Sequence, residues 1–190
     1  NIVSRLFQGN RDRRLDYQHI RLVLAYAYQF DSGWALGATL QPSLNRLRTD
    51  HVTSRLRPTA GDFDWDDAFG IGFSVGLYKR WEKFAVGATY LSRHRTQSFH
   101  QFDDLLQERI DMPPALQLGI AYNPIPTLEF TLDYKYIAWR KVPLFKKFPN
   151  QGGFNWNNQH IVKAGIECKV SARIPLTTGI SHGNTPIDSS

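Results

Sequence analysis

The chain has 190 residues, of which 42% are hydrophobic and 21% charged, which suits one folded domain and excludes a disordered charged arm. The formal net charge is +6, but the basic residues are scattered and form no helix or stripe, so we expect no nucleic-acid partner. The single cysteine, Cys168, excludes an internal disulfide framework. No run approaches the ~18 to 20 apolar residues of a transmembrane helix.

Large apolar residues alternate with small or polar ones through most of the chain, which is typical of strands. In 68–78 the odd positions are large and apolar, and the even positions up to Gly76 are small. In 128–138 one face carries Leu128, Phe130 and Leu132, and the other is charged. Such runs exceed the usual strand of ~5 to 6 residues and match the ~9 to 11 that cross a bilayer. Six further stretches follow the pattern: 19–30, 34–45, 84–95, 115–122, 159–170 and 173–181.

The predicted connections alternate between short and long. The short ones are 31–33, 80–83, 123–126 and a turn near Ser171, and the long ones are 46–66, 93–112 and 140–157. Outer-membrane barrels combine short periplasmic turns with long extracellular loops. The sequence therefore predicts an all-β fold, an antiparallel transmembrane β-barrel with about eight strands visible and both termini on the extracellular side. We expect the tryptophans and strand tyrosines to anchor the two edges of the membrane band.

Several runs resemble one family in order and spacing. Residues 111–124 read DMPPALQLGIAYNP and 128–139 read LEFTLDYKYIAW; the shorter runs are 70–76, 86–93, 154–167 and 179–186. The first two are similar to the "lPaslelGvaY.P" and "ltl..dy.y..W" patterns of the FadL/TodX outer-membrane transporters. The resemblance covers nearly all of 17–187.

That resemblance implies a monomeric 14-stranded barrel with an N-terminal hatch, through which long-chain fatty acids or aromatic hydrocarbons diffuse. No segment here is a candidate hatch, and the chain stops where the family continues, so we expect 1–190 to be one partial barrel domain. The implied partners are membrane lipid, lipopolysaccharide and a hydrophobic small molecule, with no cofactor. Alternatives are a lipid-modifying enzyme or a general porin on a similar barrel, and a soluble β-barrel that carries lipids.

Lysines on the lumen face are candidate ligand-binding residues, because an ammonium group can hold a fatty-acid carboxylate. The residues are Lys135 and Lys163. Each lies on a strand that also carries lumen-facing acids, so the favoured alternative is that these charges pair with each other in a polar network. The charges concerned are Glu129, Asp133, Lys135, Lys163, Glu167 and Lys169.

The loop 140–157 is the second candidate, because exposed apolar loop residues flanked by lysines suit an amphiphile with a carboxylate head. Its candidate ligand-binding residues are Leu144, Phe145, Lys146, Phe148, Phe154 and Trp156. The alternative is a loop that packs its own aromatic side chains on the barrel rim.

Little in the sequence indicates catalysis or metal binding. The six histidines and Cys168 have no metal-ligand spacing. Ser181 and His182 are neighbours on a predicted strand and point to opposite faces, so they form no catalytic pair. Gly72 and Gly76 predict a close backbone approach or a bend in their strand.

Overall fold

The computed structural model describes residues 15–49, 64–100, 109–148, 151, 153–171 and 174–187. They form one antiparallel sheet, and between β8 and β9 lie a 3-10 turn, Trp139–Lys141, and a short helix, α1, Pro143–Lys146. The strands are β1 (Leu15–Arg21), β2 (Leu24–Gln29), β3 (Trp34–Thr49), β4 (Asp66–Arg80), β5 (Phe84–Leu91), β6 (Arg95–Thr96), β7 (Ala115–Ile125), β8 (Leu128–Ile137), β9 (Gln159–Ser171) and β10 (Ile174–Gly183).

The sheet is a meander in which strands pair with their neighbours along the chain. β1 and β2 both pair with β3, β5 and β6 both pair with β4, and the order continues through β7, β8 and β9 to β10. The eight predicted stretches therefore correspond to eight columns of one sheet, and the all-β antiparallel prediction is confirmed. Within the described residues no ladder joins β10 to β1 or β2, so the sheet has two open edges.

The large apolar side chains lie together on the outward face of the sheet. The register places Leu40 beside Phe73 and Val75 beside Tyr90, so neighbouring strands contribute to one continuous surface. Phe73 is 49% exposed and Ile180 is 78% exposed. A water-soluble monomer seldom exposes an apolar patch beyond several hundred Å². The apolar residues of this sheet are thus arranged for contact with lipid. None of the helices in the described ranges is long and apolar enough to span a membrane.

The opposite face, which we call the lumen face, carries small and polar residues. Its buried members concentrate toward the long-loop end, where Ser43, Asn45 and Ala68 are almost fully enclosed. The alternation predicted for the strands is confirmed, because the two faces separate large apolar residues from small and polar ones along β4.

The first predicted strand, 19–30, starts earlier and is split. β1 begins at Leu15, and two residues, Leu22 and Val23, separate it from β2 without a shift of register. They lie opposite Gln41 and Pro42, and proline has no backbone N–H to give to the ladder. Leu22 N–H still donates to the Pro42 carbonyl at 3.0 Å.

The predicted strand 84–95 is wrong in its last third. β5 ends at Leu91, Ser92 N–H still donates to the Phe73 carbonyl at 2.9 Å, and His94 forms a separate bridge with Met112. The physical reason is the inward position of the His94 side chain, which is 4% exposed and packs on the glycines of β4.

Other boundaries move by a few residues. β3 continues to Thr49 and β4 begins at Asp66, so the predicted loop 46–66 is shorter, and its residues 50–63 lie outside the described ranges. The predicted turn 123–126 is also shorter, because β7 runs to Ile125 and β8 starts at Leu128.

Candidate functional site

The loop between β8 and β9 folds back on itself. Pro143 occupies the first turn of α1, where its missing N–H costs no helical hydrogen bond. The returning chain then pairs with the helix: Phe154 N–H donates to the Leu144 carbonyl at 3.0 Å, and Trp156 N–H donates to the Phe145 carbonyl at 2.7 Å. The loop is therefore an ordered element with backbone pairing of its own.

Aromatic rings hold this loop together. Phe145 stacks on Trp156 with 4.8 Å between ring centroids, and Trp139 meets both rings edge-on at 4.8 and 4.9 Å. Phe154 lies 5.7 Å from Trp156. Phe145 also belongs to the buried centre of the loop with Val142 and Leu144, and Trp139 and Trp156 pack against this centre. Of the predicted ligand-binding residues, Leu144, Phe145 and Trp156 thus pack within the loop.

Three predicted residues remain on the outside of the loop. Phe148 is 55% exposed, Phe154 is 42% exposed, and Lys146 is also exposed. We call Lys146, Phe148 and Phe154 the loop surface. It combines two apolar rings with one cation, a composition that suits an amphiphile with an anionic head.

A clamp ties this loop to the neighbouring long connection. The Arg93 guanidinium donates from Nε and Nη2 to Asp111 Oδ2 at 2.7 and 2.6 Å, and from Nη1 to the Lys141 carbonyl at 3.1 Å. The other carboxylate oxygen of Asp111 accepts from Thr96 N–H at 2.7 Å. Asp111 is 1% exposed, so this charge is fully enclosed. The sequence reading did not identify Arg93 or Asp111.

The second candidate site is a groove on the lumen face, which we call the lysine groove. It has a volume of about 340 Å³ and is lined by Gln117, Asp133, Lys135 and Lys163, among others. Asp133 lies directly across from Lys163 on β9, and Gln117 lies across from Lys135 on β8. The structure therefore brings the two predicted lysines into one concave surface.

The lumen charges do not form the predicted pairs. Among the described residues, no hydrogen bond or ion pair within 4.0 Å joins Asp133 to Lys163, or Lys135 to a carboxylate. Glu129 lies opposite Glu167, a residue of the same sign, and accepts from Asn123 Nδ2 at 2.9 Å. Within the described residues, no ion pair within 4.0 Å therefore holds the ammonium groups of the lysine groove.

A polar cluster that the sequence reading did not identify lies further along the lumen face. Tyr17 donates to Asn45 Oδ1 at 2.9 Å, and His19 Nδ1 bonds the same oxygen. Asn45 Nδ2 donates to Ser43 Oγ at 3.1 Å, and Ser43 Oγ bonds His94 Nε2 at 2.6 Å. These five side chains join β1 and β3 to the segment after β5.

The glycines of β4 make room for this cluster. A Cβ atom at Gly72 would lie 2.6 Å from His94 Nδ1 and 3.3 Å from His94 Cα. At Gly70 it would lie 2.6 Å from Ser43 Oγ. The prediction of a close approach is confirmed at Gly72. At Gly76 the nearest atom, Thr89 Oγ1, is 3.2 Å away.

Metal chemistry has no evident site in the described ranges, where no group of three or more His, Cys, Asp or Glu side chains could hold an ion. His51 lies outside them.

Comparison with solved structures identifies this fold. A TodX deltaS2S3 mutant, described as a monoaromatic hydrocarbon channel, superposes with a TM-score of 0.72 at 15% identity, covering 99% of this chain and 60% of that one. A Pseudomonas aeruginosa FadL homologue gives 0.64 at 12% identity, with 92% and 51% covered. The Pseudomonas putida toluene transporter TodX gives 0.65 at 16% identity, with 92% and 57% covered.

The chain thus spans between half and three fifths of the length of these structures. It matches no protein-family profile and no curated protein by sequence. At these identities the likeness establishes the fold, which is of the FadL/TodX barrel type. Combined with the exposed apolar face, this fold indicates an integral protein of the bacterial outer membrane.

Proposed function

We propose that this chain forms part of the wall of an outer-membrane channel through which hydrophobic molecules, such as long-chain fatty acids or aromatic hydrocarbons, diffuse inward. The observation that carries the proposal is the lysine groove on the lumen face of a lipid-exposed sheet. The descriptions of the similar structures, a monoaromatic hydrocarbon channel and a toluene transporter, support a hydrophobic cargo.

The two candidate sites suggest successive contacts for such a cargo. Phe148 and Phe154 offer exposed rings at the long-loop end, with Lys146 beside them. Lys135 lies on β8 four positions before Trp139, roughly 13 Å at ~3.3 Å per residue. An amphiphile that moves inward from the loop surface along β8 would therefore pass the lysine groove.

Among hydrophobic cargos, the two lysines of the groove favour one with a carboxylate. A charge-assisted hydrogen bond to Lys135 or Lys163 would orient a fatty acid in the lumen. A monoaromatic hydrocarbon has no group for these lysines to hold and remains the second candidate.

We propose transport without chemistry. Ser43 and His94 are hydrogen-bonded, as a nucleophile and its base would be. However, His94 Nδ1 has no hydrogen-bond partner among the described residues, whereas a catalytic histidine is oriented by a third group at that nitrogen. Asn45 donates to Ser43 and not to His94. The lipid-modifying enzyme is therefore the weaker alternative.

Uptake into liposomes tests the proposal. The intact protein is reconstituted, and entry of oleate and of toluene is measured against empty liposomes. Replacing both Lys135 and Lys163 by Met should lower oleate entry about tenfold, one charge-assisted contact being worth about 1.4 kcal/mol, and leave toluene entry unchanged. Lys83→Met is the matched control, because Lys83 lies in the short turn after β4, away from the lysine groove.

The outcomes separate the alternatives. If neither probe enters faster than it enters empty liposomes, the channel is contradicted. If the protein releases glycerol or fatty acid from an added ester substrate, the lipid-modifying enzyme is supported. If the double lysine variant loses oleate and toluene entry equally, the lysines do not recognise the carboxylate.

The open edges of the sheet support a further architectural proposal, that 1–190 is one domain in a larger, monomeric barrel of about 14 strands. We also propose lipopolysaccharide contacts at its extracellular end. Light scattering of the intact protein in detergent tests whether it is monomeric.

A further inference from the structure

Lys79 is a cation on the lipid-facing side of the sheet. It follows Val75 and Leu77 on the outward face of β4, and its register partners are Trp34 on β3 and Val86 on β5. From Phe69 to Lys79 the strand rises roughly 33 Å at ~3.3 Å per residue, or about 25 Å along the membrane normal at a tilt of ~40°. That length equals the apolar band of an outer-membrane barrel, so Lys79 lies at the boundary of the band on the short-turn side.

Two indole rings hold the ammonium group of Lys79. Its Nζ atom lies 5.0 Å from the centroid of the Trp34 ring and 5.1 Å from that of Trp81, and the two rings meet edge-on at 6.3 Å. No carboxylate of the described residues lies within 4.0 Å of it. The rings fix the cation without neutralising it, which leaves its N–H donors for an outside acceptor.

An apolar groove of about 470 Å³ begins beside this cation on the same outward face. Small side chains of β5, Val86 and Ala88, form its floor, and Leu77, Ile120 and Leu132 are among its walls. Trp34 belongs both to the groove and to the pair of rings around Lys79. A cation held by two indole rings therefore stands at one end of an apolar groove.

We propose that this surface binds a single membrane phospholipid, with its phosphate on Lys79 and one acyl chain in the groove floored by Val86 and Ala88. The short turns of outer-membrane barrels face the periplasm, so the lipid belongs to the inner leaflet. The charges are complementary, and tryptophans are enriched at the depth of the headgroups. This site is on the opposite face from the lysine groove and does not depend on the cargo of the channel.

Retention of lipid by the delipidated intact protein tests the proposal. The protein is titrated in detergent with phosphatidylglycerol, with diacylglycerol, which has no phosphate, and with inorganic phosphate, and bound molecules are counted by native mass spectrometry. We expect one phosphatidylglycerol to bind and neither of the other two. Lys79→Gln should weaken this binding about tenfold. Lys79→Arg should largely restore it.

Two variants decide whether the groove and the position of the charge matter. Lys83→Gln removes the same charge at the same end of the barrel from a lysine that lines a different pocket, between the short turns, and should change binding less than twofold. Ala88→Phe fills the groove and should weaken binding while Lys79 is intact. Equal effects of Lys79→Gln and Lys83→Gln, equal binding of diacylglycerol, displacement of the lipid by phosphate alone, or no effect of Ala88→Phe would each overturn the proposal.

Discussion

The loop between β8 and β9 and the lysine groove are neighbours along β8, yet they are built in opposite ways. The loop buries Val142, Leu144 and Phe145 in a cluster against which Trp139 and Trp156 pack, and it has backbone pairing of its own. The lysine groove is open, and Lys135 and Lys163 lie in it without a carboxylate partner among the described residues. The loop therefore maintains its own shape, whereas the lysine groove presents charged side chains to a ligand. Substitutions in the first should alter stability, and substitutions in the second should alter ligand affinity.

Phe145→Ala should have the largest effect. Phe145 contacts Trp139, Phe154 and Trp156, and its removal leaves a cavity that typically costs ~3 to 5 kcal/mol. Limited proteolysis should show faster cleavage in the loop, and thermal unfolding in detergent should show a lower unfolding temperature. Phe148→Ala is the matched control, since Phe148 is mostly exposed and its loss should cost under ~0.5 kcal/mol.

Asp111→Ala should have the next largest effect and lower the free energy of unfolding by about 3 kcal/mol. Its carboxylate is enclosed and satisfies both Arg93 and a backbone N–H, so removing it leaves a partly buried cation unpaired. Asp67→Ala breaks the comparable pair with Arg46, but the Asp67 side chain is 46% exposed against 2% for Asp111, and the loss should stay below ~1 kcal/mol. Equal shifts of the unfolding temperature in the two variants would contradict the clamp.

Gly72→Ala tests a part of the lumen face that is tightly packed, as the loop is. The added methyl group would overlap the His94 ring, and overpacking of this kind costs roughly 1 to 3 kcal/mol. At Gly87 the nearest atom to a new Cβ is 3.8 Å away, so Gly87→Ala should be neutral within ~0.5 kcal/mol. The unfolding temperatures of the two variants are compared. A smaller loss of stability in Gly72→Ala than in Gly87→Ala would refute the tight packing of His94 on Gly72.

Asp133→Asn should have the smallest effect, and only on the ligand. It removes a negative charge opposite Lys163 while keeping the size of the side chain. Oleate affinity should rise about threefold, which corresponds to ~0.65 kcal/mol, with unchanged stability. Toluene serves as the uncharged control ligand. A lower oleate affinity in a binding titration would mean that Asp133 orients the lysine instead of competing for it.

Much of the fold could be predicted from sequence, because large apolar residues at every second position indicate a sheet with one face toward lipid. The eight columns follow from it, including the faces of Phe73 and Ile180. The break after Leu91 could not be predicted, because it depends on His94 meeting Ser43, which lies 51 residues away. Local sequence carries no information on that contact.

The candidate site was predicted less well, for a similar reason. Residue types alone could not distinguish Phe145, which is buried in the loop, from Phe148, which is exposed. The opposite signs of Asp133 and Lys163 suggested an ion pair, but their separation depends on side-chain geometry. Pro143 was a usable signal for the start of α1, because proline is favoured in a first helical turn.

The neighbour-to-neighbour order of the strands has a consequence for how the chain assembles. Each ladder of the described sheet joins segments that follow one another along the chain, so no pairing waits for a strand from a distant part of the order. A single hairpin is only marginally stable in water, whereas each new hairpin added to an existing edge gains a complete row of hydrogen bonds. The sheet can therefore grow stepwise from either edge. We expect variants in β7 or β8, in the middle of the order, to slow this growth more than variants in β10.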